Sequence, residues 1–91
     1  MQTEKDLERE CRRYAEAQGF MSLKLVCPGT AGVPDRMFIS PKGAITFVEF
    51  KKLNGRLSPI QTRMISIFKA HGHTVEVIRD LHGFKTFVMY E

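Results

Sequence analysis

The stretch Ala44-Ile45-Thr46-Phe47-Val48-Glu49-Phe50-Lys51 constrains the fold more than any other. It is apolar at both alternating sets of positions, the pattern of a strand covered on each face, so the chain must build layers on both sides of a sheet. With 91 residues, the expectation is one domain, 1–91, around one core. A content of 43% hydrophobic and 26% charged residues excludes a disordered or low-complexity chain. A domain this small lacks a disulfide framework or a zinc-type Cys/His pattern, so homodimerisation is a natural source of further burial.

The elements around that strand are punctuated clearly. A first helix is expected from about Thr3 to Gln18, with Thr3 as N-cap, Asp6 at N3 and Gly19 after the end. Phe20 to Val26 reads as a first strand, and Cys27 to Pro34, with two Gly and two Pro, as a loop. Arg36 to Ser40 and Ala44 to Lys51 form a hairpin across Pro41-Lys42-Gly43. Asn54-Gly55 marks a turn. Ser58-Pro59, an N-cap followed by an N1 proline, opens a second helix running to about Ala70. Thr74 to Arg79 is a fourth strand, and Asp80-Leu81-His82-Gly83 turns into a last extended segment or short helix, Phe84 to Tyr90. The order is α-β-β-β-α-β plus a terminal element, so the fold class is α/β with a mixed central sheet flanked by helices.

Charges stand where a core strand should not carry them. Ile45, Phe47, Glu49 and Lys51 share one face of the third strand, with both charges at its carboxyl end. Burying charge is costly unless it is paired or metal-bound. A Glu49–Lys51 ion pair is the plain structural explanation. Asp35 complicates it, because a hairpin centred on Lys42 sets residue 35 opposite residue 49. Adjacent carboxylates share a proton or recruit a cation, and an oxygen-rich cluster of few ligands suits Mg²⁺. A turn-capping role is the local alternative for Asp35. With Leu7 at the centre of the first helix's apolar stripe, Cys11 and Ala15 lie beside it, and Glu4 and Glu8 fall at about 60° and about 100°. Gln61, in the first turn of the second helix, borders that helix's apolar face of Ile60, Met64, Ile67, Phe68 and His71. His71 and His73 read as a helix end rather than a metal site. Cys11, Met37 and Met64 read as core, and Cys27 as a buried or loop thiol.

Gly32-Val33-Pro34-Asp35, then Glu49-Phe50-Lys51, then Gly55-Arg56-Leu57-Ser58-Pro59-Ile60-Gln61 together resemble the VRR-NUC domain. This is the virus-type replication-repair branch of the PD-(D/E)XK nuclease superfamily, with a restriction-endonuclease-like core. The resemblance runs from the first helix to the fourth strand. It implies Mg²⁺- or Mn²⁺-dependent hydrolysis of DNA phosphodiesters, with Asp35, Glu49 and the Phe50 main-chain carbonyl as metal ligands. Lys51 would balance charge at phosphorus or orient the attacking water, and Gln61 would assist. A first-helix glutamate completes the family's site, Glu8 by its spacing to the helix end, with Glu4 as the alternative. Small members resemble phage or bacterial homodimers acting on four-way (Holliday) junctions, which places branched DNA and a second copy among the expected partners. Alternatives are a catalytically silent DNA-binding module or a nuclease of flap, nicked or single-stranded DNA.

A net charge of +4 agrees with a polyanionic partner. Lys52, Arg56 and Arg36 are the candidate DNA contacts, with Lys24, Lys42, Arg63 and Lys69 as further phosphate contacts. No apolar stretch approaches the roughly 20 residues of a membrane span. A charged start, Met1-Gln2-Thr3-Glu4-Lys5-Asp6, and two thiols lead to the expectation of an intracellular, reduced protein.

Overall fold

The first helix, α1 (Glu4–Ala17), starts where Thr3 Oγ1 accepts from the Asp6 N–H and Asp6 Oδ2 accepts from the Thr3 N–H, both at 3.1 Å. This reciprocal cap satisfies two donors that the helix start leaves open. The computed structural model describes residues 2–89. Four strands follow α1 in a sheet of order β1-β2-β3-β4: β1 (Met21–Lys24), β2 (Arg36–Ile39), β3 (Ile45–Phe50) and β4 (Val75–Ile78). The first two pairings are antiparallel. β3 and β4 are parallel, joined through α2 (Pro59–Ala70), and α3 (Leu81–Met89) is the last described element. The mixed sheet and element order are as expected, with strands shorter by one to three residues.

Ser40 explains the tight β2–β3 connection. Its side chain is buried and accepts from the N–H groups of Lys42 and Ala44 at 3.2 and 3.0 Å, while Gly43 takes φ +92°. Only a residue without a Cβ adopts that conformation cheaply. The resulting register pairs Arg36 with Val48 and Ile39 with Ile45.

Cross-strand partners share a face. Phe38, Val48 and Phe50 point to the side covered by α1 and α3, where they meet Leu7, Cys11, Ala15, Phe84 and Val88 in one buried cluster. Phe84 is its hub, with ring centroids 5.2 Å from Phe38 and 6.5 Å from Phe50. Truncating any of the three rings would cost about 3–5 kcal/mol.

The opposite face departs from the sequence reading. β3 is not covered along its whole length: Ile45 is half exposed, and burial on both faces is confined to its carboxyl half. α2 contributes no buried residue, and Ile60 and Ile67 face solvent. Phe68 carries the contact, its ring 4.8 Å edge-on to Phe47, with His73 on the same ring at 5.6 Å. The apolar stripe is therefore rotated away from the sheet, and Met37 and Met64 are half-buried rather than core. Cys27 is an exposed loop thiol and Cys11 is fully buried. His71 caps α2, with Nδ1 2.8 Å from the Ile67 carbonyl.

The last segment is a helix. Asp80 Oδ1 accepts from the Gly83 N–H at 2.7 Å, so the expected turn is an N-cap and Gly83 lies inside α3. Of the segment expected to run to Tyr90, that residue lies outside the described ones. Among the described residues no helix is long and apolar enough to cross a membrane.

Candidate active site

Extending the β2–β3 register by one pair brings Asp35 opposite Glu49 at the carboxyl end of β3. Asp35 is held between two strands: its carbonyl accepts from the Leu25 N–H at 3.0 Å, and its Oδ2 accepts from the Phe50 N–H at 2.8 Å. Fully buried Pro34 fixes its approach. Glu49 is only 4% exposed. Burial pushes its carboxyl up to about 7, the charge of Asp35 adds to the rise, and Lys51 acts against it. Asp35 is also raised, by burial first, against the pull of the Phe50 N–H. The Asp35 charge thus raises Glu49, whereas the charges that raise Asp35, after burial, are those of Glu8 and Glu4.

Gln61 links this pair to α2. Its Oε1 accepts from the Ser58 N–H at 2.9 Å and completes the helix cap, while its Nε2 donates to Glu49 Oε2 at 2.9 Å. One amide thus satisfies a helix start and orients a carboxylate. The loop before Asp35 reaches the same turn of helix. Gly32, at φ +81°, lies so close to α2 that a Cβ there would stand 2.7 Å from the Ile60 carbonyl oxygen. The sequence segments 32–35, 49–51 and 58–61 therefore meet at one place.

Lys51 follows β3, and its backbone N–H donates to the Ile78 carbonyl at 3.0 Å. Its side chain forms neither an ion pair nor a hydrogen bond among the described residues, so the Glu49–Lys51 pair considered from sequence is not formed. Glu8 is the opposite case. Its Oε2 accepts from Arg36 Nε at 2.7 Å and Lys24 Nζ at 2.9 Å, and these bonds outweigh burial to hold its carboxyl below the usual range. Arg36 also donates to Ser22 Oγ at 3.0 Å and is largely buried. Glu4 Oε2 accepts from the Lys52 N–H at 3.3 Å, near enough for its charge to bear on Asp35 and Glu49. Lys52 and Arg56 are exposed.

Two features escaped the sequence reading. Lys24 and Arg36 are register partners on β1 and β2, a juxtaposition of cations that calls for an anion between them; the long 25–35 loop left that register unfixed by the sequence. Arg79, just past β4, donates from Nη1 to the carbonyls of Lys52, Leu53 and Gly55. No sequence pattern announces that bond.

The VRR-NUC domain model matches residues 4–80, from the first residue of α1 to just past β4. The chain belongs to the VRR-NUC family of nuclease domains. A solved VRR-NUC domain structure superposes with a TM-score of 0.87 at 30% identity, covering 96% of this chain and 95% of that one. The protein described as "Putative nuclease p44", from Acyrthosiphon pisum secondary endosymbiont phage 1, is 40% identical over 75 residues, 82% of this chain and 76% of that protein.

As a VRR-NUC domain, the chain has a donor set whose chemistry is compatible with a hard divalent cation. Among the described residues no three His, Cys, Asp or Glu side chains stand together as a ready-made ion cage. A buried carboxylate, Glu49, and a half-buried one, Asp35, face each other with no ion pair to either among the described residues, an arrangement that suits an ion retaining several waters.

Proposed function

We propose that this protein is a Mg²⁺- or Mn²⁺-dependent DNA endonuclease that acts on branched DNA, four-way junctions above all, as a homodimer. The observation that carries the reading is the division of charge at the end of β3. Glu49 is buried and half-buried Asp35 lies opposite it, neither of them in an ion pair among the described residues, while the Lys51 ammonium acts on Glu49 through its charge alone and forms no ion pair or hydrogen bond there. A cation satisfies the first, and a phosphate the second.

Asp35, Glu49 and the Phe50 carbonyl would hold the cation, joined by Glu8 or, in its place, Glu4. When bound, a divalent cation polarises a phosphoryl oxygen and makes water more acidic. Lys51 balances the charge that develops on the phosphate or orients the attacking water. Gln61 keeps Glu49 in one rotamer through its Nε2. Lys52 and Arg56 contact neighbouring phosphates, and Arg36 joins them where it can leave Glu8.

Support for the homodimer comes from the face that α2 leaves open. Met21, Ile39 and Ile45 are register partners across three strands, next to the row Leu23, Met37 and Phe47. Met21, Leu23 and Ile45 are exposed there, and monomers rarely display apolar surface so contiguous. Two free thiols, one of them exposed, agree with an intracellular setting.

The test is cleavage of matched four-way junction, flap, duplex and single-stranded DNA in Mg²⁺ or Mn²⁺ against EDTA, with Lys51→Ala as control. Metal-dependent paired cuts in the junction, reduced about 10²-fold or more in the variant, are expected. Cutting of another substrate moves the specificity. No cutting by folded, metal-loaded protein refutes the standalone enzyme and leaves a binding module or a nuclease that needs a partner.

A further inference from the structure

The turn after Lys51 is held more firmly than a surface turn requires. The Gly55 N–H donates to the Lys52 carbonyl at 2.9 Å, which puts Leu53 and Asn54 at the tip. Arg79 Nη1 reaches the carbonyls of Lys52, Leu53 and Gly55 at 3.1, 3.4 and 2.6 Å. On the other side Glu4 takes the Lys52 N–H. A guanidinium directed onto three main-chain carbonyls fixes the turn's conformation and leaves little freedom to lose on binding.

What this mount presents is Leu53, 70% exposed. A lone exposed leucine is ordinary. This one stands between exposed Lys52 and Arg56, two residues beyond Lys51 and so within about 7 Å of it along the chain. It also borders a groove of about 500 Å³ between the turn and the start of α1, lined by Thr3, Lys52, Asn54, Arg79 and Asp80 among others. That volume is in the range of pockets that bury small ligands, about 300–1,000 Å³.

We infer that Leu53 is an apolar wedge that enters the base stack beside the phosphate to be cut, and that the groove receives the base it displaces. The inference rests on the reading of the chain as a DNA nuclease and deepens it. Wedging apolar side chains between base steps costs stacking energy, and the cost is least where a step is already unpaired or unstacked. A rigid wedge next to the catalytic groups turns that difference into preference for branched DNA over continuous duplex. Lys52 and Arg56 hold the flanking phosphates while Leu53 enters.

The experiment compares wild type, Leu53→Ala and Leu53→Met on a four-way junction and a continuous duplex of the same sequence. Two quantities are read: single-turnover cleavage in Mg²⁺, and fluorescence of 2-aminopurine placed at the branch, with Ca²⁺ replacing Mg²⁺. Leu53→Ala is expected to slow junction cleavage about tenfold, with duplex cleavage within about twofold of wild type, and to abolish the fluorescence rise. Leu53→Met keeps both, because it retains an apolar wedge. An unchanged junction-to-duplex ratio in Leu53→Ala overturns the inference, as does a wild type that binds without unstacking the probe. If wild type cuts no DNA at all, the nuclease reading has failed, and the fluorescence alone decides the wedge: a rise lost in Leu53→Ala upholds it, and no rise overturns it.

Discussion

Replacing Glu49 by Gln tests the central claim that this carboxylate is held at a cost to the fold. The ordinary glutamate value of 4.5 is raised to about 7 in the folded chain by burial, then by Asp35. At about 1.36 kcal/mol per pKa unit, the shift sets an upper bound of about 3 kcal/mol. Relaxation of the surroundings of the buried carboxyl offsets part of it, so about 1.5 kcal/mol is the working figure. Below about pH 4.5 both folded and unfolded chains are protonated and the residue exacts no penalty. Between the two values the folded chain binds more protons than the unfolded one, so stability falls as pH rises, and above about pH 7 the loss is complete. Glu49→Gln keeps the shape, can still accept from Gln61 Nε2, and removes the charge. In EDTA, urea denaturation at about pH 8 should show the variant more stable than wild type by about 1–2 kcal/mol, or roughly 4–16 °C in Tm, with the gap closing towards about pH 5. Saturating Mg²⁺ should stabilise wild type more than the variant, because the lost ligand weakens binding. A variant less stable than wild type at about pH 8 in EDTA, or a gap that ignores pH, refutes the reasoning and restores a structural ion pair.

Gln61→Glu retains a helix-capping side chain but sets an acceptor against Glu49 Oε2, so cleavage should fall about tenfold or more with melting changed by only about 1 kcal/mol; equal losses from Gln61→Glu and Gln61→Ala would deny the positioning role. Gly32→Ala must place a Cβ 2.7 Å from the Ile60 carbonyl at φ +81°, and should cost about 2 kcal/mol or more in chemical denaturation. Glu8→Gln strands two cations, one of them largely buried, and should cost about 1–3 kcal/mol near neutral pH. Because the Glu8 value is lowered on folding, that contribution is present above about pH 4.5 and fades as pH falls through the folded value, which titration of wild-type and variant stability will check.

Much of the site was legible because it depends on local or arithmetical constraints. Thr3 and Ser58 announce helix starts through their own side chains, and the three residues around Lys42 determine which residue of β2 faces which of β3. From that register alone Asp35 meets Glu49. The orientation of α2 was not legible: periodicity identifies an apolar stripe on a helix, but not how far it rolls on a sheet. Here Gly32 packs against the Ile60 carbonyl and Gln61 bonds Glu49, which turns Phe68 inward and leaves Ile60 and Ile67 outside.

Glu8 shows the same limit in charge. Its helical phase correctly directs it toward the sheet, yet phase is silent about what waits there. Lys24 and Arg36 share the α1 face by strand parity, whereas Glu49 and Phe47 share the α2 face. Glu8 thus approaches the strand end from the side opposite Glu49 and is already balanced by two cations. Among the described residues Glu4, one turn earlier, accepts only from a backbone N–H. For Glu8 to turn toward an ion, Arg36 and Lys24 must find another anion, and in phosphodiester cleavage the entering DNA phosphate is the anion that arrives. Under the proposed function, recruitment of Glu8 would then be coupled to substrate, while recruitment of Glu4 would not. Mn²⁺ binding to Glu8→Gln and Glu4→Gln, each with and without uncleaved DNA, separates them: a Glu8 ligand shows its loss only when DNA is present, and a Glu4 ligand shows it in both cases.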